Sequence, residues 1–214
     1  EDIKGRIIGR EGRNVRAFEA ATGVTVLIDD TPNSVVLSAF DPVKREIARE
    51  SMNRLVKDGR IHPTRIEEIV KKVSEENTYN MANLGEEAAS KAGVISLNKE
   101  ILGMLGKLRY RSSYSQNVLA HSVEVANLMG LLAGEMGLDI AKAKRIGLLH
   151  DIGKAMSQEV DGPHAIVGGD FIKRNGEPED VVNGVSSHHG EVPYDYIWGI
   201  LVSGADAISA SRPG

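Results

Sequence analysis

The sequence predicts an α+β fold in which a small mixed domain precedes an all-α domain. Alternating, β-branched segments occur at residues 24–28 and 35–39, whereas the pattern from about residue 97 onward is helical. The chain has 214 residues, which is enough for two small domains that each bury a core. We therefore expect the strands to be confined to the N-terminal domain.

The composition narrows the class of protein. A formal net charge of -4 excludes a uniformly basic surface, although it allows a local basic groove. The chain has no cysteine, which excludes disulfides and thiolate metal sites and favours a cytoplasmic compartment. No apolar run approaches the ~20 residues of a membrane-spanning helix. Because the sequence begins at Glu1 and stops just after an apolar helical stretch, we expect a piece of a longer protein.

The N-terminal part predicts a short helix, a glycine-rich turn, a second helix, two strands and a third helix. The second helix covers residues 14–22 and ends at Gly23, a residue type that is common at helix C-termini. Turn-forming residues fill positions 29–34 between the two strands. Asp41 and Pro42 then form a typical helix start, from which the third helix follows.

The turn between the first two helices has the pattern Gly-x-x-Gly and has arginines on both sides. Glycine lets a nucleic-acid backbone approach closely, and the helix behind the turn offers backbone N–H donors to phosphates. The charges of the two middle residues cancel, so the tip of the loop is not strongly basic. The candidate RNA-binding residues are Gly9, Arg10, Glu11, Gly12 and Arg13.

The order helix, Gly-x-x-Gly, helix, strand, strand, helix resembles the KH domain, which holds about four nucleotides of single strand at this loop. The resemblance implies that the usual first strand precedes Glu1, so that the KH-like domain of residues 1–62 is incomplete here. A KH fold can also serve for dimerisation. RNA contact by the loop is therefore an expectation separate from the fold.

A helical connector is predicted at residues 63–96, between the two domains. Ile66, Ile69 and Val73 place apolar side chains on one helical stripe, although the polar stretch at residues 75–80 weakens this pattern. We expect the all-α domain to cover residues 97–214.

Histidines are concentrated in the C-terminal half, where five of the six lie after residue 120. In a chain without cysteine, such clustering favours metal ligation by imidazole and carboxylate groups. His150 and Asp151 are adjacent at the predicted end of an apolar helix closed by Gly153, where both can converge on one ion. Asp206 lies in another apolar helix, where a carboxylate buried without a cation would be unfavourable. His62 is given no role.

The spacing of His121, the pair His150-Asp151 and Asp206 resembles the HD superfamily of phosphohydrolases. Two ions ~3.5–4 Å apart can clamp the attacking and leaving oxygens of a phosphodiester. The predicted ligands are numerous enough for two ions; they are His121, His150, Asp151, His164, His188, His189 and Asp206. The predicted catalytic residues are His150, Asp151 and Lys154, the last offsetting negative charge on the phosphate. We expect Mg²⁺ or Mn²⁺ first, with Fe, Zn or Ni as alternatives.

Over its whole length the chain resembles the ribonuclease Y family, in which a KH domain precedes an HD domain. The stretches that carry the resemblance include residues 5–14, 37–42, 58–63, 108–111, 113–117 and 205–214. The resemblance implies an endoribonuclease that cleaves single-stranded RNA in mRNA turnover by attack of a metal-activated water.

The same resemblance carries implications for assembly and location. It implies a homodimer, RNA-degradation enzymes as partners, and a C-terminal tail that this chain lacks, so that the HD domain is truncated. It also implies a coiled coil and an N-terminal membrane anchor outside this chain, which would hold the full-length protein at the cytoplasmic face of the membrane.

Two other functions stay open on the sequence alone. The first is an HD-type phosphodiesterase or nucleotidase for small or cyclic nucleotides, and the second is a non-catalytic RNA-binding scaffold with a structural metal. The KH-like half argues against the first, because a small nucleotide needs no backbone clamp. The position of Lys154 beside a complete ligand set argues against the second.

Overall fold

A computed structural model describes residues 2–28, 31, 34–113, 116–156 and 159–211 of the chain. The chain divides into two compact units, Glu1–Tyr79 and Asn80–Gly214. The strands β1 and β2 lie in the first unit and the second is almost entirely helical, which confirms the predicted α+β class.

The N-terminal unit follows the predicted element order. Helix α1 (Asp2–Ile8) leads into a 3-10 turn (Arg10–Gly12), and α2 (Arg13–Thr22), β1 (Thr25–Leu27), β2 (Val36–Ser38) and α3 (Pro42–Asp58) follow. The two strands are antiparallel, with Val26 opposite Leu37. Most of the turn predicted between them lies outside the described residues.

Local signals fix the ends of these helices. The carboxylate of Asp41 accepts a hydrogen bond from the backbone N–H of Val43 at 2.8 Å and so caps α3. Gly23 ends α2 with a φ of 68°, a left-handed conformation that glycine adopts at little cost. Phe18 and Leu55 are buried in the core of this unit, which α2 and α3 share.

The predicted connector is a single long helix, α4 (Pro63–Ala92), which runs from the first unit into the second. Nδ1 of His62 accepts a hydrogen bond from the backbone N–H of Arg65 at 3.3 Å, so His62 contributes to the start of this helix. The predicted boundaries at residues 62 and 96 stay predictions, because a helix shared by both units gives no break in the chain at which to test them.

The C-terminal unit contains six further helices in the described part of the chain. They are α5 (Lys99–Lys107), α6 (Val118–Glu135), α7 (Ile140–Leu149), α8 (His164–Arg174), α9 (Glu179–Ser187) and α10 (Ile197–Ala210). A small hairpin, β3 (Ser112–Ser113) paired with β4 (Gln116–Asn117), precedes α6. The sequence predicted helix throughout this region and missed the hairpin, because strands of two residues are too short to show alternation.

Two helical hairpins organise this unit. Residues 136–139 join α6 to α7 and residues 175–178 join α8 to α9, and within each pair the helices contact one another. Gly147 of α7 lets the helices of the first pair approach closely, since an added Cβ there would lie 2.7 Å from Cα of Ala126 in α6. Because the connections are short, the two helices of each pair are antiparallel, and the start of the first helix lies beside the end of the second. None of the helices in the described ranges is long and apolar enough to cross a bilayer.

Candidate metal centre

The open ends of the two helical hairpins hold most of the predicted ligands. His121 lies in the first turn of α6 and His150 directly follows α7, while His164 begins α8 and His188 directly follows α9. Helix α10, which contacts α6 and α9, adds Asp206. The structure thus brings together all seven residues predicted from the sequence; they form the overlapping groups His121/His150/Asp206, His150/Asp151/His188 and His164/His188/His189.

The backbone at His150 differs from the prediction. The sequence placed the helix end at Gly153, but α7 ends at Leu149, and Gly153 lies in a 3-10 turn, Ile152–Ala155. Gly153 is needed for close packing instead, since an added Cβ would lie 1.9 Å from the backbone oxygen of His164. The early end of α7 still lets His150 and Asp151 face the same region, because Asp151 no longer follows the helical spiral.

Asp151 lies at the middle of the cluster, and its two oxygens face different histidines. Oδ2 lies 3.5 Å from Nε2 of His150 and 3.8 Å from Nε2 of His121. Oδ1 lies 3.3 Å from Nε2 of His164 and 3.9 Å from Nε2 of His188. This is the arrangement of a carboxylate that can bridge two cations.

Backbone carbonyls accept hydrogen bonds from the rings of His150 and His188, on the ring edge that faces away from Asp151. Nδ1 of His150 donates to the oxygen of Gly147 at 2.8 Å, and Nδ1 of His188 donates to the oxygen of Val185 at 2.6 Å. A carbonyl can only accept, so Nδ1 carries the proton and Nε2 is left with a lone pair. Metal-binding histidines are commonly oriented in this way.

The atoms that face the middle of the cluster are buried and have no hydrogen-bond partner among the residues that the structure describes. They are Nε2 of His150, Oδ1 of Asp151, Nε2 of His164 and Nε2 of His188. Buried polar atoms without a partner are rare in folded proteins and call for an explanation. A divalent cation would satisfy all four, so the donor set fits the metal that the sequence predicts.

The protonation states of the cluster also suit a cation. Burial would raise the pKa of Asp151, but the charge of His150, the close approach of the His164 ring and the charge of Lys154 hold it well below its ordinary value. Burial lowers the pKa of His188 to about 3, so this ring is neutral at neutral pH. Burial also opposes protonation of His150, but the nearby carboxylates outweigh it and raise its pKa. Ionised carboxylates and neutral imidazoles are the forms that bind metals, so Asp151 and His188 are already in these forms, whereas a cation would displace the proton that the carboxylates favour on His150.

The sequence missed Ser209, which lies one turn beyond Asp206 in α10. Its fully buried hydroxyl lies 2.9 Å from Nδ1 of His121, while Nε2 of the same ring lies 2.9 Å from Oδ1 of Asp206. The i, i+3 spacing of Asp206 and Ser209 was a signal that could have found it, since such residues share a helix face.

A cleft of ≈ 330 Å³ opens onto the cluster. Lys154, His164, His189 and Asp206 contribute to its lining, together with polar side chains from the β3–β4 hairpin. Nζ of Lys154 donates to Oδ2 of Asp151 at 2.7 Å. The ammonium group predicted to act on the phosphate therefore lies in the cleft, where it contacts a predicted ligand.

The Gly-x-x-Gly loop belongs to the N-terminal unit. Gly9, Glu11 and Gly12 all have left-handed φ angles, and the side chains of Arg10 and Arg13 are exposed. Such a loop presents its backbone and two cations to solvent, as a site for a nucleic-acid backbone requires.

Asn14 was also missed as a residue that shapes this loop. Its buried side chain donates from Nδ2 to the backbone oxygens of Arg6 at 2.9 Å and Ile61 at 3.0 Å. An added Cβ at Gly9 would lie 2.6 Å from the same Nδ2. Asn14 thus ties the loop to the segment that follows α3.

Comparison with known proteins identifies both parts of the chain. The family model of the KH domain matches residues 1–54, and that of the HD domain matches residues 118–211. The chain is 54% identical over 214 residues to a ribonuclease Y of Nitratidesulfovibrio vulgaris, and 56% identical over 214 residues to one of Finegoldia magna. A ribonuclease Y of Rubrobacter xylanophilus is 57% identical over 215 residues. In each case the match covers 100% of this chain but only 41–42% of the relative. No solved structure matches the chain.

Proposed function

We propose that this chain, which belongs to the ribonuclease Y family, carries the RNA-binding and catalytic parts of a metal-dependent endoribonuclease that acts on single-stranded RNA in mRNA turnover. Similarity over the whole chain to proteins named ribonuclease Y supports this proposal, as does the order of a KH domain and an HD domain. The observation that carries it is the position of Asp151, whose two oxygens face two different sets of histidines.

In this proposal Asp151 would help to hold two divalent ions, Mg²⁺ or Mn²⁺. The ligands of the first would be His121, His150, Asp151 and Asp206, and those of the second would be Asp151, His164, His188 and His189. Bound ions would supply a water activated for attack and positive charge at the phosphate oxygens. Fe, Zn and Ni remain alternatives, because imidazole-rich sites also accept them.

The chain's own residues would orient the reaction. His150 and His188 present Nε2 lone pairs whose direction is fixed by the carbonyls behind each ring. Lys154, at the lining of the cleft, would stabilise negative charge that develops on the phosphate. Hydrolysis by an external water in line with the leaving 3′-oxygen gives a 5′-phosphate and a 3′-hydroxyl.

The KH domain would bind the same RNA strand. Its loop residues Gly9, Arg10, Glu11, Gly12 and Arg13 would hold the backbone of a few nucleotides, since glycine permits close approach and the arginines contact phosphates. A substrate longer than a nucleotide explains why a backbone-binding domain accompanies the hydrolytic one.

The wider setting is part of the same proposal. A cytoplasmic location, anchoring of the full-length protein to the cytoplasmic face of the membrane, a homodimer and association with RNA-degradation enzymes all follow from the family. The chain spans about two fifths of the length of the curated relatives it matches, so these properties concern the longer protein.

The test is cleavage of a 5′-monophosphorylated single-stranded RNA in Mg²⁺ or Mn²⁺, with Asp151→Ala beside the unchanged chain. We expect internal cleavage that is lost in Asp151→Ala, because the carboxylate shared by both ions is removed. Asp161→Ala is the matched control, since Asp161 is exposed and lies outside the cluster.

Three outcomes would contradict the proposal. Cleavage that survives Asp151→Ala would place the active site elsewhere. Hydrolysis of cyclic mononucleotides or dinucleotides without cleavage of RNA would favour a small-nucleotide phosphodiesterase. RNA binding without hydrolysis of either substrate class would favour a scaffold with a structural metal.

A further inference from the structure

A second cavity lies in the C-terminal unit, across the first turn of α6 from the catalytic cleft. Its volume is ≈ 420 Å³. Val118 and His121 line the cleft, whereas Leu119 and Ala120, from the same turn, line the second cavity. A helix with its side chains is roughly 10 Å across, so a strand leaving the cleft would reach this cavity within a few nucleotides.

The cavity, which we call the α6 groove, joins an apolar wall to basic side chains. The wall comes from α4 and α6, and its side chains are Leu84, Ala88, Leu119, Ala120 and Val123. Lys91 and Arg109 are the basic residues of the lining, and Glu87 is its acidic residue. Because Glu87 lies 3.9 Å from Lys91, the charge of Lys91 is partly offset, and Arg109 supplies the remaining positive charge.

The position of Arg109 is fixed relative to the catalytic helix. Nδ2 of Asn117 donates to the backbone oxygen of Arg109 at 2.7 Å. Oδ1 of Asn117 accepts from the backbone N–H of Ala120 at 3.2 Å and so caps α6. One side chain therefore holds the backbone of Arg109 against the turn that carries His121.

We propose that the α6 groove binds a nucleotide of the RNA strand a few positions from the one in the cleft, with its base against the apolar wall and its phosphate at Arg109. The flat face of any base can pack against apolar side chains, so this contact does not depend on the RNA sequence. A guanidinium pairs with a phosphate through two parallel hydrogen bonds. The inference rests on the proposed function, because it takes the occupant of the cleft to be RNA.

The test measures binding without catalysis. Affinity for a 5′-fluorescein-labelled oligoadenylate is followed by fluorescence anisotropy in EDTA over a series of salt concentrations. For Arg109→Gln we expect Kd to rise about 3–10-fold, and the slope of log K against log salt to fall in magnitude by about 0.7, the value for one phosphate contact with single-stranded nucleic acid. Lys99→Gln is the control, since Lys99 is exposed and does not line the groove.

A second variant tests the wall rather than the charge. Ala120→Leu fills the groove from an exposed position, and we expect it to raise Kd while leaving the salt slope unchanged. Unchanged RNA affinity in both variants would overturn the proposal and would point to a different occupant, such as a protein segment. An equal loss in Lys99→Gln would also overturn it, since any exposed cation would then serve. Because the assay contains no divalent metal, failure of RNA cleavage would count against the proposed function and not against this groove.

Discussion

The hydroxyl of Ser209 lies 2.9 Å from Nδ1 of His121, on the edge of the ring away from Asp206. This contact differs from those behind His150 and His188, where a carbonyl accepts the Nδ1 hydrogen bond. A hydroxyl can both donate and accept, so Ser209 suits either tautomer of His121. Without a metal, Nε2–H of His121 can then donate a hydrogen bond to Oδ1 of Asp206, and when a metal binds, Nε2 can present its lone pair.

Replacing Ser209 should therefore weaken metal binding. For Ser209→Ala we expect the affinity for Mn²⁺ to fall about 10-fold or more, because partners that orient a metal ligand typically contribute 10–100-fold. Isothermal titration calorimetry measures this directly. Ser211→Ala is the control on the same helix end, since Ser211 is exposed and bonds to the oxygen of Ile208. Equal Mn²⁺ affinity in both variants would show that Ser209 does not orient His121.

Replacing two glycines of α5 by alanine should change the stability of the C-terminal unit in opposite directions. An added Cβ at Gly106 would lie 1.8 Å from the backbone oxygen of Met81, whereas at Gly103 it meets nothing within 4 Å. We expect Gly106→Ala to destabilise the C-terminal unit by at least ~1–3 kcal/mol through overpacking. Gly103→Ala should stabilise it by up to ~1 kcal/mol through helix propensity. Urea denaturation of both variants checks this pair, and equal midpoints would contradict it.

The ion pair of Arg145 and Glu177 should contribute more to the free energy of unfolding than an exposed ion pair does. Two guanidinium nitrogens of Arg145 each lie 2.6 Å from an oxygen of Glu177, which is 8% exposed, and Arg145 also donates to the oxygen of Ile95 at 2.9 Å. For Arg145→Met we expect the free energy of unfolding to fall by about 3–5 kcal/mol, because the buried carboxylate of Glu177 is left without its cation.

The comparison for this pair is Arg49→Ala. Arg49 pairs with Glu46 on an exposed face of α3, and its loss should change the free energy of unfolding by less than ~1 kcal/mol. Thermal or urea unfolding of the two variants gives the difference. A loss in Arg49→Ala as large as in Arg145→Met would show that burial does not set the strength of these pairs.

Asn14 should stabilise the Gly-x-x-Gly loop. Asn14→Ala removes two hydrogen bonds, to the backbone oxygens of Arg6 and Ile61. We expect the free energy of unfolding to fall by about 1–2 kcal/mol and RNA binding to weaken. Asn53→Ala on α3 is the control, since Asn53 is exposed. Hydrogen exchange at residues 9–12 measures the local effect, and protection equal to that of the unchanged chain would rule out this role.

The sequence alone was sufficient for the element order of the N-terminal unit and for the selection of the seven side chains that cluster in the C-terminal unit. Residues such as Asp41 and Gly23 specify helix ends through their own side chain or backbone freedom, so local chemistry decides them. The five histidines were selected because they cluster in a chain without cysteine and fit the spacing of the HD superfamily, and Asp206 because a carboxylate on an apolar helix needs a charged or polar partner. The β3–β4 hairpin was missed because its strands are too short for any pattern.

Only the tertiary structure decided how those ligands meet. His121 and Asp206 lie 85 positions apart in the sequence. No sequence pattern predicts which oxygen of Asp151 faces which histidine ring. That division follows from the early end of α7, the packing of two helical hairpins and the carbonyls of Gly147 and Val185 behind the rings. Long-range packing fixes the direction of a side chain, whereas a sequence pattern fixes only its type and the face it occupies. Ser209 and Asn14 were missed for the same reason, because His121 and Ile61, which they contact, lie 88 and 47 positions away along the chain.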